Sequence, residues 1–124
     1  MILPETAEIR HGHLWIGGCD TVELAREFGT PLQLFDEATI RAKARQYTAA
    51  FARRYPDVLL TYAAKAFLHP WLASLMAEEG LGLDVVSAGE MVVAQRVGFP
   101  MEKVHFHGNN KLPNEFSLAI EFCF

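Results

Sequence analysis

From residue 59 onward the chain repeats one pattern, and that repetition limits its possible folds more than any other feature. An apolar run from Leu59 ends on Lys65, and His69-Pro70 then opens a stretch with Leu72, Leu75 and Met76 on one side, closed by Gly80. A second round has the run Leu83 to Val86, then Ser87, Met91, Ala94 and Gln95, and the breaker Gly98-Phe99-Pro100. The third has Val104 to His107, with Pro113 leading into Leu118, Ala119 and Ile120. Short apolar runs alternating with helical stripes predict right-handed crossovers and a parallel sheet. In the first run Leu59, Thr61, Ala63 and Lys65 share one side, and Leu60, Tyr62 and Ala64 the other. Both sides are largely apolar, as in a parallel strand covered on both faces. The pattern fits an open doubly wound sheet or part of a (β/α)8 barrel, and alternation alone does not choose between them.

The preceding half is less regular. His13 to Ile16, before Gly17-Gly18, predicts a short strand and turn. Asp20-Thr21-Val22-Glu23 carries the cap and acid that open a helix, with Leu24, Ala25 and Phe28 on its apolar side. Gly29 and Pro31 stop it. Leu32 to Phe35 predicts another strand. Asp36 begins a longer helix whose buried stripe is Ile40, Ala44, Tyr47 and Phe51, with Arg41, Lys43, Arg45, Arg53 and Arg54 on the wet side. Pro56 ends it.

At 124 residues and 51% hydrophobic, the chain suits one packed domain rather than a disordered tail. A net charge of −4 argues against a nucleic-acid surface, which would show clustered Lys and Arg. Cys19 and Cys123 have no metal-binding spacing and fit a reduced, cytoplasmic protein. The start lacks the pattern of a signal peptide, and no stretch reaches the roughly 20 apolar residues of a membrane span.

Three segments stand at the ends of the predicted strands: Tyr62-Ala63-Ala64-Lys65-Ala66, then Gly82-Leu83-Asp84-Val85-Val86-Ser87-Ala88-Gly89-Glu90, then Phe106-His107-Gly108-Asn109-Asn110-Lys111. In that order they resemble the barrel-domain motifs of the pyridoxal-phosphate-dependent decarboxylases of alanine-racemase-like fold, most nearly the diaminopimelate decarboxylases. The resemblance implies a partial (β/α)8 TIM barrel, truncated after about three to four βα units where a whole one takes about 250 residues. It assigns residues 1–31 to a segment that joins a β-rich second domain, and 32–124 to the incomplete barrel. It further implies pyridoxal 5'-phosphate as cofactor and Lys65 as the lysine that bonds it, with Asp84, Glu90, His107 and Asn109 around it. The expected reaction converts meso-diaminopimelate to L-lysine, in a homodimer whose subunits share active sites. An ornithine- or arginine-type decarboxylase and a non-catalytic binding relative are the competing readings.

Each site residue also has a local reading. A lysine attacks an aldehyde only as the free base, so burial or nearby charge must favour that form or its product. Lys65 could instead mark a strand's exit into solvent. Asp84 facing an apolar layer calls for a partner, which could be the Lys65 amine or backbone amides. Ser87 and Glu90 form a capping-box pattern that needs no ligand. His105 and His107 share a strand face, but no third ligand accompanies them, so no metal is expected. His107 could equally bond a neighbouring carbonyl. Many relatives have asparagine at the place of Phe67, and the phosphate loop and the acid on the pyridine nitrogen would follow residue 124. The abrupt end at Phe122-Cys123-Phe124 reads as truncation.

Overall fold

The computed structural model describes residues 3–123; Met1, Ile2, Phe124 and the side chain of Cys123, hence the chain end read as a truncation, lie outside that set. Two compact units divide it, residues 1–46 and residues 47–124.

The first unit holds strands β1 (Glu8–Arg10), β2 (His13–Ile16) and β3 (Cys19–Asp20), joined in that order as an antiparallel meander. His11 and Gly12 both have positive φ, as do Gly17 and Gly18. Two-residue loops of that conformation match the twist of the strands they join, which is why these pairs turn the chain. Helix α1 (Thr21–Phe28) starts at Asp20, whose carboxylate accepts the Val22 N–H at 2.8 Å. It stops at Gly29, where φ is 83°. Only the strand at His13 was foreseen; β1 and β3 add the pairing that a lone strand requires. The strand expected at Leu32–Phe35 does not form. The segment lies outside both sheets and runs as irregular chain ahead of α2 (Glu37–Ala52). In α2, Ala44 is buried, but Tyr47 and Phe51 are exposed, so the expected buried stripe holds only in part.

The second unit contains β4 (Thr61–Ala63), α3 (Pro70–Glu78), β5 (Gly82–Val85), α4 (Ala88–Arg96), β6 (Val104–Phe106) and α5 (Pro113–Cys123). The strands form a parallel sheet, as the alternation predicts, and their order is β4-β5-β6. One face is packed: Leu83 and Val85 are fully buried with Leu72, Leu75 and Met76 of α3 and Met91 and Ala94 of α4. Each such Leu, Val or Met side chain contributes about 1.5–3 kcal/mol of burial. The caps are those the residue types suggest. Pro70 sits in the first turn of α3 behind His69, and the Ser87 hydroxyl accepts the Glu90 N–H at the start of α4.

Register assigns the other face. Ala63, Asp84 and His105 are paired across the three strands, so their side chains share one side, opposite Leu83 and Val85. Thr61 and Gly82 form the layer below. A Cβ on Gly82 would lie 2.6 Å from the Lys103 carbonyl oxygen and 2.9 Å from Thr61 Cγ2, so the close strand approach requires glycine. Among the described residues, no helix is long and apolar enough to cross a membrane.

Candidate active site

The chemistry-bearing residues gather where the parallel strands end. β4 stops at Ala63, earlier than its apolar run suggests, and Ala64–Ala66 make a 3-10 turn. Lys65 therefore projects from a turn rather than from the last pleat of a strand. The Tyr62 hydroxyl donates to the Phe67 carbonyl at 2.8 Å, which closes the chain around that turn. Burial pushes the Tyr62 phenol up. A protonated phenol is the form that can donate this bond. Tyr62 opens the first of the three motif segments, but on residue type it reads as an apolar strand position, so this supporting role was not legible in the sequence.

Lys65 is exposed, and among the described residues it makes no ion pair with Asp84. The Asp84 carboxylate instead lies 3.6 Å from His107 Nδ1. That contact follows from register. Asp84 pairs with His105, and the His107 N–H continues the ladder by donating to the Val85 carbonyl at 2.8 Å. Asp84 is partly covered and His107 wide open, so an exposed pair of this kind adds little stability. Its value is orientation: the imidazole stands beside an acid at the sheet's C-terminal edge.

Glu90 is committed locally. Its carboxylate accepts the Val86 N–H at 2.6 Å, while its own N–H donates to Ser87 Oγ at 3.3 Å. The capping reading is thus observed in modified form, with the acid reaching one residue further back than in the usual reciprocal box. Asn109 is exposed in the loop after β6, two residues beyond His107. In that loop Lys111 Nζ donates to the Gly108 carbonyl at 2.8 Å and stands 4.2 Å from the Phe106 ring centre. Lys65, Asp84 and His107 therefore lie at one end of one sheet, Glu90 buttresses the next helix start, and Asn109 sits on the rim.

A separate cleft of about 350 Å³ lies in the first unit, lined by Ile16, Cys19, Leu24, Leu34 and Phe35 among others. None of the residues singled out for chemistry lines it.

Comparison with known proteins supplies the identity of this arrangement. Residues 37–122 match the family described as pyridoxal-dependent decarboxylase, pyridoxal binding domain. The chain belongs to that family. The diaminopimelate decarboxylase of Bacillus subtilis is 47% identical over 112 residues, covering 90% of this chain and 26% of the relative. That of Halalkalibacterium halodurans is 50% identical over 110 residues, covering 89% and 25%. Among solved structures, a diaminopimelate decarboxylase from M. jannaschii in complex with L-lysine superposes with a TM-score of 0.88 at 37% identity, over 95% of this chain and 28% of that one. The chain thus spans about a quarter of the length of these pyridoxal-dependent decarboxylases.

The side chains present fit the family's cofactor at its aldehyde end. An exposed primary amine stands on a turn closed by Tyr62, at the strand ends that also carry Asp84 and His107. Carbonyl capture needs such an amine in reach, and the C-terminal edge of a parallel sheet is where ligands of α/β folds bind.

Proposed function

We propose that this chain is the leading part of a diaminopimelate decarboxylase, with Lys65 as its cofactor lysine. Residues 32–124 supply the first arc of a pyridoxal-phosphate-binding (β/α)8 barrel, and residues 1–31 belong with a β-rich second domain. The observation carrying this reading is the placement of the Lys65, Asp84–Glu90 and His107–Lys111 segments at successive C-terminal strand ends in one parallel sheet. The 47% and 50% identities to diaminopimelate decarboxylases favour that substrate within the family.

Bound pyridoxal phosphate supplies an aldehyde for amine capture and an electron-accepting ring for loss of carbon dioxide. The protein's part is to hold and orient. Tyr62 fixes the turn that presents Lys65, Asp84 offers a carboxylate on the same sheet edge, and His107 stands beside that carboxylate. Glu90 keeps the α4 start rigid, and Asn109 offers an amide at the rim. In the whole protein the substrate is a small molecule, the amino acid meso-diaminopimelate, and the product is L-lysine. The whole protein is a cytoplasmic homodimer that builds each site from both subunits.

Borohydride reduction of the full chain with pyridoxal phosphate, followed by peptide mapping, tests the assignment. The label is expected on Lys65 and falls to background in Lys65→Ala. A label carried chiefly by Lys43, Lys103 or Lys111 would reject it.

A further inference from the structure

Glu115 uses its two carboxylate oxygens on the starts of two different helices. Oε2 accepts the Leu112 N–H at 2.9 Å, the reach-back bond of a helix cap within α5. Oε1 accepts the Ala88 N–H at 3.2 Å, across 27 residues, at the first position of α4. A glutamate that only started α5 would need the first bond alone. The second ties the segment carrying Ser87 and Glu90 to the segment carrying His107 and Asn109. Lys111 reinforces the same junction: its ammonium holds the Gly108 carbonyl and covers Phe106, whose ring meets Phe116 edge-on at 6.5 Å. The Leu112 and Ala88 amides hold the Glu115 carboxyl below its ordinary range, against some desolvation and with help from Lys111. The carboxylate is therefore ionised at neutral pH, the form that can accept with both oxygens.

We propose that Glu115 is a positioning residue that locks the loop after β6 to the helix start after β5, so that His107 and Asn109 keep a fixed place relative to Glu90. Its functional consequence rests on the reading of Lys65 as the cofactor lysine; the mechanical coupling does not. Glu115 makes none of the bonds between β4, β5 and β6, so its loss leaves those strands paired and bears on the His107 N–H just past the end of β6.

Amide hydrogen exchange of the full chain without cofactor tests the coupling, comparing wild type with Glu115→Ala and the isosteric Glu115→Gln. Loss of a bond to a charged acceptor predicts exchange about tenfold faster at Ala88 and Leu112 in Glu115→Ala. The coupling additionally predicts faster exchange at His107, which lies outside both bonds. Glu115→Gln, with one accepting oxygen, falls between and serves as the folded comparison where the alanine variant loses helical signal. Faster exchange at Leu112 alone, with Ala88 and His107 as in wild type, overturns the proposal. Pyridoxal phosphate capture at Lys65 is then titrated with borohydride trapping. Several-fold weaker capture in Glu115→Ala, partly restored in Glu115→Gln, supports the positioning role; equal capture in all three overturns it. A wild-type chain that takes no label on Lys65 defeats the cofactor reading instead, and the exchange data still decide the coupling.

Discussion

Among the described residues the two sheets have the same number of strands and are held together by opposite means. In the meander β1-β2-β3 every strand residue keeps some exposure, and the geometry comes from neighbours in sequence: two positive-φ turns, the Asp20 cap, and Thr21 Oγ1 donating to the Leu14 carbonyl at 2.9 Å. Even the Trp15 indole N–H is buried without an acceptor among the described residues. In the parallel sheet β4-β5-β6 the order comes from distance in sequence, because crossover helices must return to cover Leu83 and Val85. Locally specified structure yields gradually to mutation. Structure specified by burial yields cooperatively.

The largest expected effect follows directly. Leu83 is fully buried at the centre of the middle strand, so Leu83→Ala is predicted to cost about 2–5 kcal/mol through lost transfer energy and a residual cavity. Chemical denaturation followed through exchange of β5 amides reads that loss, with β2 amides exchanging as before. A loss shared equally by both sheets would remove the distinction between them. Next in size is Gly82→Ala. Its new methyl meets the Lys103 carbonyl, which is backbone and cannot swing aside, and overpacking of this kind costs about 1–3 kcal/mol. Thermal unfolding measures it; an unchanged midpoint would mean that the loop before β6 moves freely, which would sharpen the comparison by making burial the sole constraint.

This contrast also explains what could be read from the residues alone. The strand–helix alternation after residue 59 was legible because a covered parallel sheet demands apolar runs and helix stops, and the Ser87 cap and Pro70 in a first helical turn carried their own chemistry. The parallel pairing of β4, β5 and β6 followed from the same rule, while their order did not. Less legible was where an apolar run stops being a strand. Leu59 to Lys65 looks continuous, yet only Thr61–Ala63 finds ladder partners, and Lys65 falls in a turn whose closure depends on a tyrosine five residues before the acceptor carbonyl. Leu32–Phe35 has strand-like residues yet lies outside both sheets. Conversely β1 and β3 were missed although His11-Gly12 and Gly17-Gly18 are plausible hairpin dipeptides, because their flanks are too polar to alternate cleanly. At the site, Glu115 shows the limit most clearly. Its spacing from Leu112 announces a helix start, but its bond to Ala88 exists only because the register of β5 and β6 brings two helix starts together.

The smallest predicted effect belongs to the locally specified unit and turns on pH. Asp36 stands ahead of α2, and its Oδ2 accepts hydroxyl bonds from Thr6 at 2.7 Å and from Thr39. Thr6 in turn accepts the Gly17 N–H at 2.9 Å, and Thr39 accepts the Glu5 N–H at 2.7 Å, so one carboxylate anchors a turn of the meander and the segment before β1. Burial pushes this carboxyl up, but the Thr39 and Thr6 hydroxyls and the Thr39 and Ala38 amides outweigh it, leaving the group below its ordinary value of 3.8. A carboxyl depressed in the folded state contributes stability that is fully present above the unfolded value and is lost as pH falls through the folded one. Acid titration of β2 amide exchange should therefore show the first unit loosening below the ordinary value of 3.8 while β5 amides stay protected. Asp36→Asn keeps an accepting oxygen and removes the titration, so its acid limb should be flatter than that of the wild type. Superimposable acid limbs would mean that the meander is held by its turns alone, and the carboxylate would drop out of the account of why the first unit folds.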